Sequence, residues 1–378
     1  MKKTLKLSIM LTPIIFTKML TLLTISCSMN SQKNVTADVE AKDSIANLNF
    51  LSKELKDKLK NKLENSDKGG IANILTLATE INNVIKSINT SFDSNLTAED
   101  KNKYIRQVEA LETIEEVNLL ATKVENINNV ATLKNLPVEF KNTVKSQIEQ
   151  LLTIKKIKNA FALANIKDKS CSDLKIFIDL DNKDIEKHIE KILKANDFDQ
   201  VSALTLIAFK ENAIKRIESL NNKLNEKSQE KYKKLLEEAK NNLSVDKIIE
   251  LAIEEVIGLK ISSVKIRLDN VSHPDGRHYV SPSVSINIKA TNSEKYNLNK
   301  GKLYNMSFVW PENNDPNKKG EFSSIASDFN NGSLNNENDY IFNIEAEKLF
   351  NVKGIYEIRK ISLDEINILI KKIYVNIN

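Results

Sequence analysis

The spacing of apolar residues changes once along this chain, at Gly258, and that change limits what each side can fold into. Over residues 44–258 the apolar side chains recur every three or four positions, which lines one face of an α-helix. Over residues 259–378 they alternate with polar ones, the pattern of a half-buried strand. The expected fold class is therefore α+β as separate domains. An antiparallel helical bundle would come first and an antiparallel β-sandwich second.

The helical stretch is written in stripes. Ile45, Leu48, Leu51, Leu55, Leu59 and Leu63 form one, broken by Asp67-Lys68-Gly69-Gly70. Ile71, Ile74, Ala78, Ile81, Ile85 and Ile88 form the next. Thr97-Ala98-Glu99-Asp100 reads as a helix start with a capping hydroxyl, and that helix would carry Tyr104, Val108, Leu111, Ile114 and Val117. Pro137 can open another, because its missing N–H would have no partner in a first turn. Further helices are expected over 181–195, 199–224, 228–243 and 244–257. Short polar connectors favour antiparallel neighbours. No fixed-period repeat is evident, so a bundle is expected rather than a repeat array.

Beyond Gly258, alternation marks strands at 264–268, 284–290, 303–310, 340–346, 354–363 and 372–377. Turn residues lie between them, as in Pro274-Asp275-Gly276 and Asn331-Gly332. Several short strands with turns between them, and no intervening helix, argue for a sandwich. In 354–363, Tyr356 and Ile358 share a face with Ile361 and Leu363 only if one residue bulges out between the pairs.

The amino terminus carries Lys2, Lys3 and Lys6, then an apolar run to Ile25, then Ser26-Cys27. A basic start, an apolar core and a small residue at the cut form a secretory signal. Lys18 within the run would cost about 2.5–3.5 kcal/mol near a bilayer centre, which favours a cleaved signal over a permanent span. With a cysteine first after the cut, the segment resembles a bacterial lipoprotein signal. That resemblance implies removal of residues 1–26 and lipidation of Cys27. Residues 27–43 are polar and read as a tether. The expected domains are thus 1–26 signal, 27–43 tether, 44–258 helical and 259–378 β-sandwich.

Two further resemblances rest on sequence. Gly354-Ile355-Tyr356-Glu357-Ile358-Arg359-Lys360-Ile361-Ser362-Leu363 is similar to a late strand of bacterial immunoglobulin-like domains, which implies an Ig-like sandwich. The whole layout, with its Lys-Lys start, polar tether and body rich in Lys, Asn, Ile and Glu, resembles surface lipoproteins of Borrelia-like spirochaetes. That implies an outer-membrane surface location and a host protein as partner.

Catalytic signals are sparse. The sharpest polar cluster is His273, Asp275 and His278 in one turn, three groups of the kind that ligate zinc. A fourth ligand is not evident, and Pro274-Asp275-Gly276 brings its flanks together as an ordinary turn. His188 reads as a partly exposed helix residue. Cys171, in Lys169-Ser170-Cys171-Ser172-Asp173, reads as an inert cysteine in a polar connector. Acid pairs such as Glu115-Glu116, Glu237-Glu238 and Glu254-Glu255 read as solvated helix faces. With 8 glycines in 378 residues, no phosphate-cradling loop appears. Tyr304, Trp310 and Tyr340, with Phe308, would be sandwich core by their alternation or a contact surface by their chemistry. The net charge of +5 is spread among mixed lysines and acids, so no nucleic-acid partner is expected.

The expected protein is a non-enzymatic, cofactor-free, lipid-anchored surface protein that meets a host macromolecule. The alternatives are an envelope scaffold facing the periplasm and a metal-dependent hydrolase.

Overall fold

The computed structural model describes the backbone of residues 33–92, 95–220, 223–272, 278–290, 304–312, 315–325, 333–334, 340–345, 354–363 and 366–377. Side chains are described for 39–92, 95–220, 223–258, 357, 360–362 and 366–374. The chain divides into two compact units, Met1–Glu125 and Asn126–Asn378.

Eleven helices are present among the described residues: α1 (Lys33–Ala46), α2 (Lys53–Glu64), α3 (Lys68–Thr90), α4 (Ala98–Glu109), α5 (Ile114–Thr132), α6 (Val138–Gln150), α7 (Ile154–Lys175), α8 (Asn182–Lys194), α9 (Phe198–Ser219), α10 (Glu226–Glu238) and α11 (Asn242–Ile257). Helix α1 begins inside the segment read as a polar tether, and its Ala41 and Ile45 are buried. Most starts are fixed by local chemistry. Ser52, Asp67, Thr97, Thr153, Asp181, Asp197, Asn225 and Asn241 each accept the N–H three residues on, meeting one of the first-turn donors that a helix leaves unpaired. The single helix expected across Tyr104 and Val117 is two, because Thr113 and Glu116 form a reciprocal capping box. Glu116 donates its N–H to the Thr113 hydroxyl at 3.3 Å, and its carboxylate accepts the Thr113 N–H at 3.2 Å. That restarts the helix where the apolar stripe alone predicts continuity.

The helices are not a free assortment. After α1 they come as five pairs among the described residues, a shorter helix followed by a longer one. Val138, Asn182 and Glu226 open the last three short helices, each 44 residues after the one before. Ile154, Phe198 and Asn242 open the long ones at the same interval. The recurrence reaches single positions. Leu51, Leu96, Leu136, Leu180 and Leu224, each one residue ahead of an N-cap, are all buried. Eight residues on, Leu59, Tyr104, Val144, His188 and Tyr232 are buried too. Twelve on, Leu63, Val108, Ile148, Ile192 and Leu236 are at most 1% exposed, each burial stabilising by about 1.5–3 kcal/mol. Ala78, Ala164, Ala208 and Ala252, with Val124 in the second pair, keep a small or branched residue at the inner side of each long helix. The expectation that no repeat is present is corrected by this register. Both units are built from this repeated helix pair.

Within the second unit, α7, α9 and α11 pack in that order, with α8 between α7 and α9 and α10 between α9 and α11. Short connections make successive helices antiparallel. In the first unit, α1 packs on α2 and α3, and α3 on α4. Helix α11 ends at Gly258, whose φ of 69° is left-handed and whose N–H bonds the Glu254 carbonyl at 2.8 Å. A side chain would be strained there, which is why the helical pattern stops at this glycine.

Nine strands follow among the described residues: β1 (Leu259–Ser272), β2 (His278–Ala290), β3 (Tyr304–Glu312), β4 (Asp315–Ile325), β5 (Ser333–Leu334), β6 (Tyr340–Glu345), β7 (Gly354–Leu363), β8 (Ile366–Asn367) and β9 (Ile373–Ile377). Their backbones pair antiparallel in two ladders, β1-β2-β6-β5 and β4-β3-β7-β8, with β9 on β7. The expected bulge in β7 is present. Phe308 faces Ile358 while Ser307 faces Lys360, which leaves Arg359 as the extra residue.

The expected fold class is nonetheless corrected. Strand residues with described side chains all belong to β7, β8 and the start of β9. Among the described residues no sandwich is evident, and helices make up most of what is described. Nor is the carboxy-terminal region a separate domain, because residues 366–372 are built into the helical body. What the described residues form is a predominantly helical protein.

Candidate interaction surface

The carboxy-terminal segment crosses the long helices of the second unit, and Arg216 of α9 holds it. The guanidinium is 3% exposed, and each of its three nitrogens donates one hydrogen bond. Nε donates to Asp179 Oδ2, Nη1 to the Asn367 carbonyl and Nη2 to the Leu369 carbonyl, each at 3.0 Å. The fixed donor fork of arginine suits three acceptors arranged around one plane. Burial pushes the Asp179 carboxyl above its usual range despite the adjacent Arg216 charge, and it pushes the Arg216 guanidinium down.

The rest of the segment is fixed from both sides. The Lys372 N–H donates to the Ile176 carbonyl at 2.9 Å, just past the end of α7. Lys371 Nζ pairs with Asp246 of α11 and lies 5.1 Å from the centre of the Phe209 ring, a distance suited to cation–π attraction. Phe209 meets Phe177 edge-to-face with centroids 4.8 Å apart. Ile366, Ile368 and Leu369 are buried. Asn367 holds the local bend, its side-chain oxygen accepting from the Leu369 N–H at 3.1 Å and the Ile361 N–H at 3.3 Å.

Helix α7 carries a second buried polar group. Lys167 donates to the Leu193 carbonyl at 2.7 Å at the end of α8 and lies over the Phe140 ring. A cation at a helix C-terminus meets unpaired carbonyls there, and burial lowers its pKa. One turn on, Cys171 is fully buried inside α7, which corrects its reading as part of a polar connector. Burial pushes its thiol up to about 11. His188 is corrected likewise. It is 4% exposed, with Nε2 2.9 Å from Glu211 Oε2. Glu255 is more than a solvated acid, since it accepts from the Tyr232 hydroxyl at 2.7 Å and from Ser228. Burial first, and then that contact, raises the Tyr232 pKa.

The outward faces of the long helices carry aliphatic residues at matching positions. Ile207 on α9 is 52% exposed, and Leu251, 44 residues later on α11, is 42% exposed. Ile154 and Phe198, the first residues of α7 and α9, are also exposed.

Cys27, His273 and Asp275 lie outside the described residues. His278 opens β2 opposite Ser272. Tyr304 and Trp310 lie on β3 in one ladder and Tyr340 on β6 in the other, so strand pairing does not bring Tyr340 beside them. No group of three or more metal-binding side chains gathers among the described residues. No helix among them is long and apolar enough to cross a membrane.

Sequence reasoning missed Arg216 and the segment it grips. The signal was available. Arg216 stands three residues after Ala213 and four before Leu220, on the stripe that otherwise carries apolar side chains. No protein-family model matches this chain, and none of the curated proteins does.

Proposed function

We propose that this chain is a lipid-anchored, exported surface protein without enzymatic activity, and that its repeated helix pairs are the part that meets a partner, a host protein. The observation that carries the reading is the matched exposure of Ile207 and Leu251 on successive long helices. Repeated helix pairs present equivalent positions side by side, and such arrays are used as extended binding surfaces. Exposed aliphatic residues in register are the material of an interface core. The apolar run ending in Ser26-Cys27 supports the anchor, because that order of charges, apolar core and small residue is the grammar of a cleaved signal.

Two experiments test the two halves. Palmitate labelling of the expressed chain should be lost in Cys27→Ser, and protease added to intact cells should remove the wild-type protein. Labelling that persists in the variant sinks the anchor, and protection from protease sinks the surface location. For the binding half, the fragment starting at Ser28 is challenged with immobilised host serum and matrix proteins. Ile207→Glu combined with Leu251→Glu should abolish capture while the helical circular dichroism stays unchanged. Undiminished capture by that double variant removes the long-helix face from the function.

A further inference from the structure

We propose that the first helix pair holds a binding cleft for an acidic sugar, formed on α2 and closed by the start of α3. The cleft belongs to the first unit, whereas Ile207 and Leu251 belong to the second. It therefore stands or falls apart from the long-helix face and from the anchor.

The cleft has a volume of about 680 Å³ and is lined by Lys58, Asn61, Lys62, Asn65, Ser66 and Ile74, a size suited to a small organic ligand. Its wall follows from helical spacing. Lys58, Asn61, Lys62 and Asn65 come at three- and four-residue steps along α2 and its end, which places them on one face. Leu55, Leu59 and Leu63 bury another face of α2 and so hold the lysine face outward. Helix α3 opens directly afterwards, and Gly70 keeps that turn tight, since a Cβ there would stand 3.0 Å from Ser66 Cβ. Ile74, one turn into α3, completes the lining.

The lining selects a ligand class. Glu112 Oε1 lies 3.4 Å from Lys58 Nζ and 3.2 Å from Lys62 Nζ, so the two ammoniums converge on one oxyanion position. Hydrogen bonds from Lys62 and then Lys58 hold the Glu112 carboxyl below the usual carboxylate range. An ammonium has three N–H donors, so a single carboxylate oxygen does not exhaust either lysine. Asn61 and Asn65 add amides and Ser66 a hydroxyl, groups that pair with sugar hydroxyls. Ile74 offers an aliphatic surface to the C–H face of a ring. An anionic group, several hydroxyls and an apolar ring face occur together in a uronic acid or a sulfated sugar.

The repeat supplies an internal comparison. Lys58 and Lys62 correspond in register to Lys187 and Lys191 of α8, but there Glu190 replaces Asn61 and Lys194 replaces Asn65. Helix α8 thus has the same lysine spacing without the amides, and the two helices separate recognition from charge alone.

The test immobilises the full chain and titrates it at physiological salt with an unsulfated uronate tetrasaccharide, its sulfated counterpart and the neutral chitin tetrasaccharide. An acidic sugar should bind and the neutral one should not. Binding of the unsulfated sugar shows that a carboxylate suffices, and binding of the sulfated one alone shows that sulfate is needed. Lys58→Ala combined with Lys62→Ala should weaken binding about tenfold or more, the scale of lost hydrogen bonds to a charged group. Asn61→Ala combined with Asn65→Ala keeps the net charge and should weaken binding too. Lys187→Ala combined with Lys191→Ala removes the same charge from α8 and should bind as wild type does. All six side chains are exposed, so the helical circular dichroism should be the same in every variant. Failure of both acidic sugars to bind overturns the proposal. Equal losses in the α2 and α8 lysine variants overturn it as well, because they mark charge attraction alone, and so does undiminished binding in the asparagine variant.

Discussion

The Asp168 carboxylate accepts the backbone N–H of Asn135 at 2.6 Å, joining the long helix of one repeat to the connector that leads into its short helix. The bond recurs with a different side chain one repeat later. There Asn212 accepts the N–H groups of Asp179 at 3.1 Å and Leu180 at 3.2 Å. In the first pair, Asn82 accepts from Phe50 at 3.0 Å. Each oxygen satisfies a connector amide that the flanking helices cannot reach.

Asn212→Ala therefore leaves the Leu180 and Asp179 amides without their acceptor. A cost of about 1–3 kcal/mol is expected, the range for an unsatisfied buried donor. Asn212→Asp keeps the oxygen, as Asp168 does, and should cost less. Urea unfolding followed by circular dichroism measures both. Equal loss in the two variants would show that the acceptor is not what matters.

Asp181 caps α8 by accepting the Asp184 N–H at 2.8 Å. Asp181→Ala should destabilise by about 0.5–2 kcal/mol, and Asp181→Asn by much less. Comparing their urea midpoints with wild type decides it, and a neutral alanine variant would argue against the cap.

Asp179 gives a pH dependence with a definite sign. Burial raises its folded-state pKa above the unfolded value. The folded chain then binds this proton more tightly than the unfolded chain does. The contribution of Asp179 to stability grows as pH falls through the folded pKa and is complete below the unfolded one. Asp179→Asn cannot titrate and lacks this gain. On acidification from neutral pH, wild type should thus gain stability relative to Asp179→Asn in paired urea titrations. A wild type that loses ground relative to the variant contradicts the assignment.

Cys171 is fully buried, and its thiol is pushed up to about 11. Thiolate, not thiol, is the reactive species. A thiol reagent should leave it untouched in the native protein, after Cys27→Ser has removed the other cysteine, and should modify it on denaturation. Fast native labelling would mean that α7 opens far more often than its packing implies.

The helical half was legible because its stripes are long and its capping residues are explicit. Ser52, Thr97, Asp181 and Asn225 all appear in sequence as capping types followed by helix formers. The repeat was not legible, because what recurs is burial rather than identity. One position is filled in turn by Leu59, Tyr104, Val144, His188 and Tyr232, which share size and a buried place but no letter. His188 and Cys171 were misjudged for a related reason. Polar neighbours in sequence point to other faces of the helix, so local polarity says little about the burial of one residue. Alternation beyond Gly258 located six of the nine described strands, missing β4, β5 and β8, and it required a bulge between the Tyr356–Ile358 and Ile361–Leu363 pairs, which falls at Arg359. It did not foresee that residues 366–372 belong to the helical body, because the contact from Arg216 to Asn367 spans 151 residues. No local pattern encodes a partner that distant.

The same separation sets an order of events during synthesis. Helix pairs are local in sequence and can close as they emerge, whereas a contact between distant segments waits on loop closure. Arg216 leaves the ribosome well before Asn367 and Leu369 do, so until the carboxy-terminal segment emerges the nascent protein holds this guanidinium without two of its three acceptors.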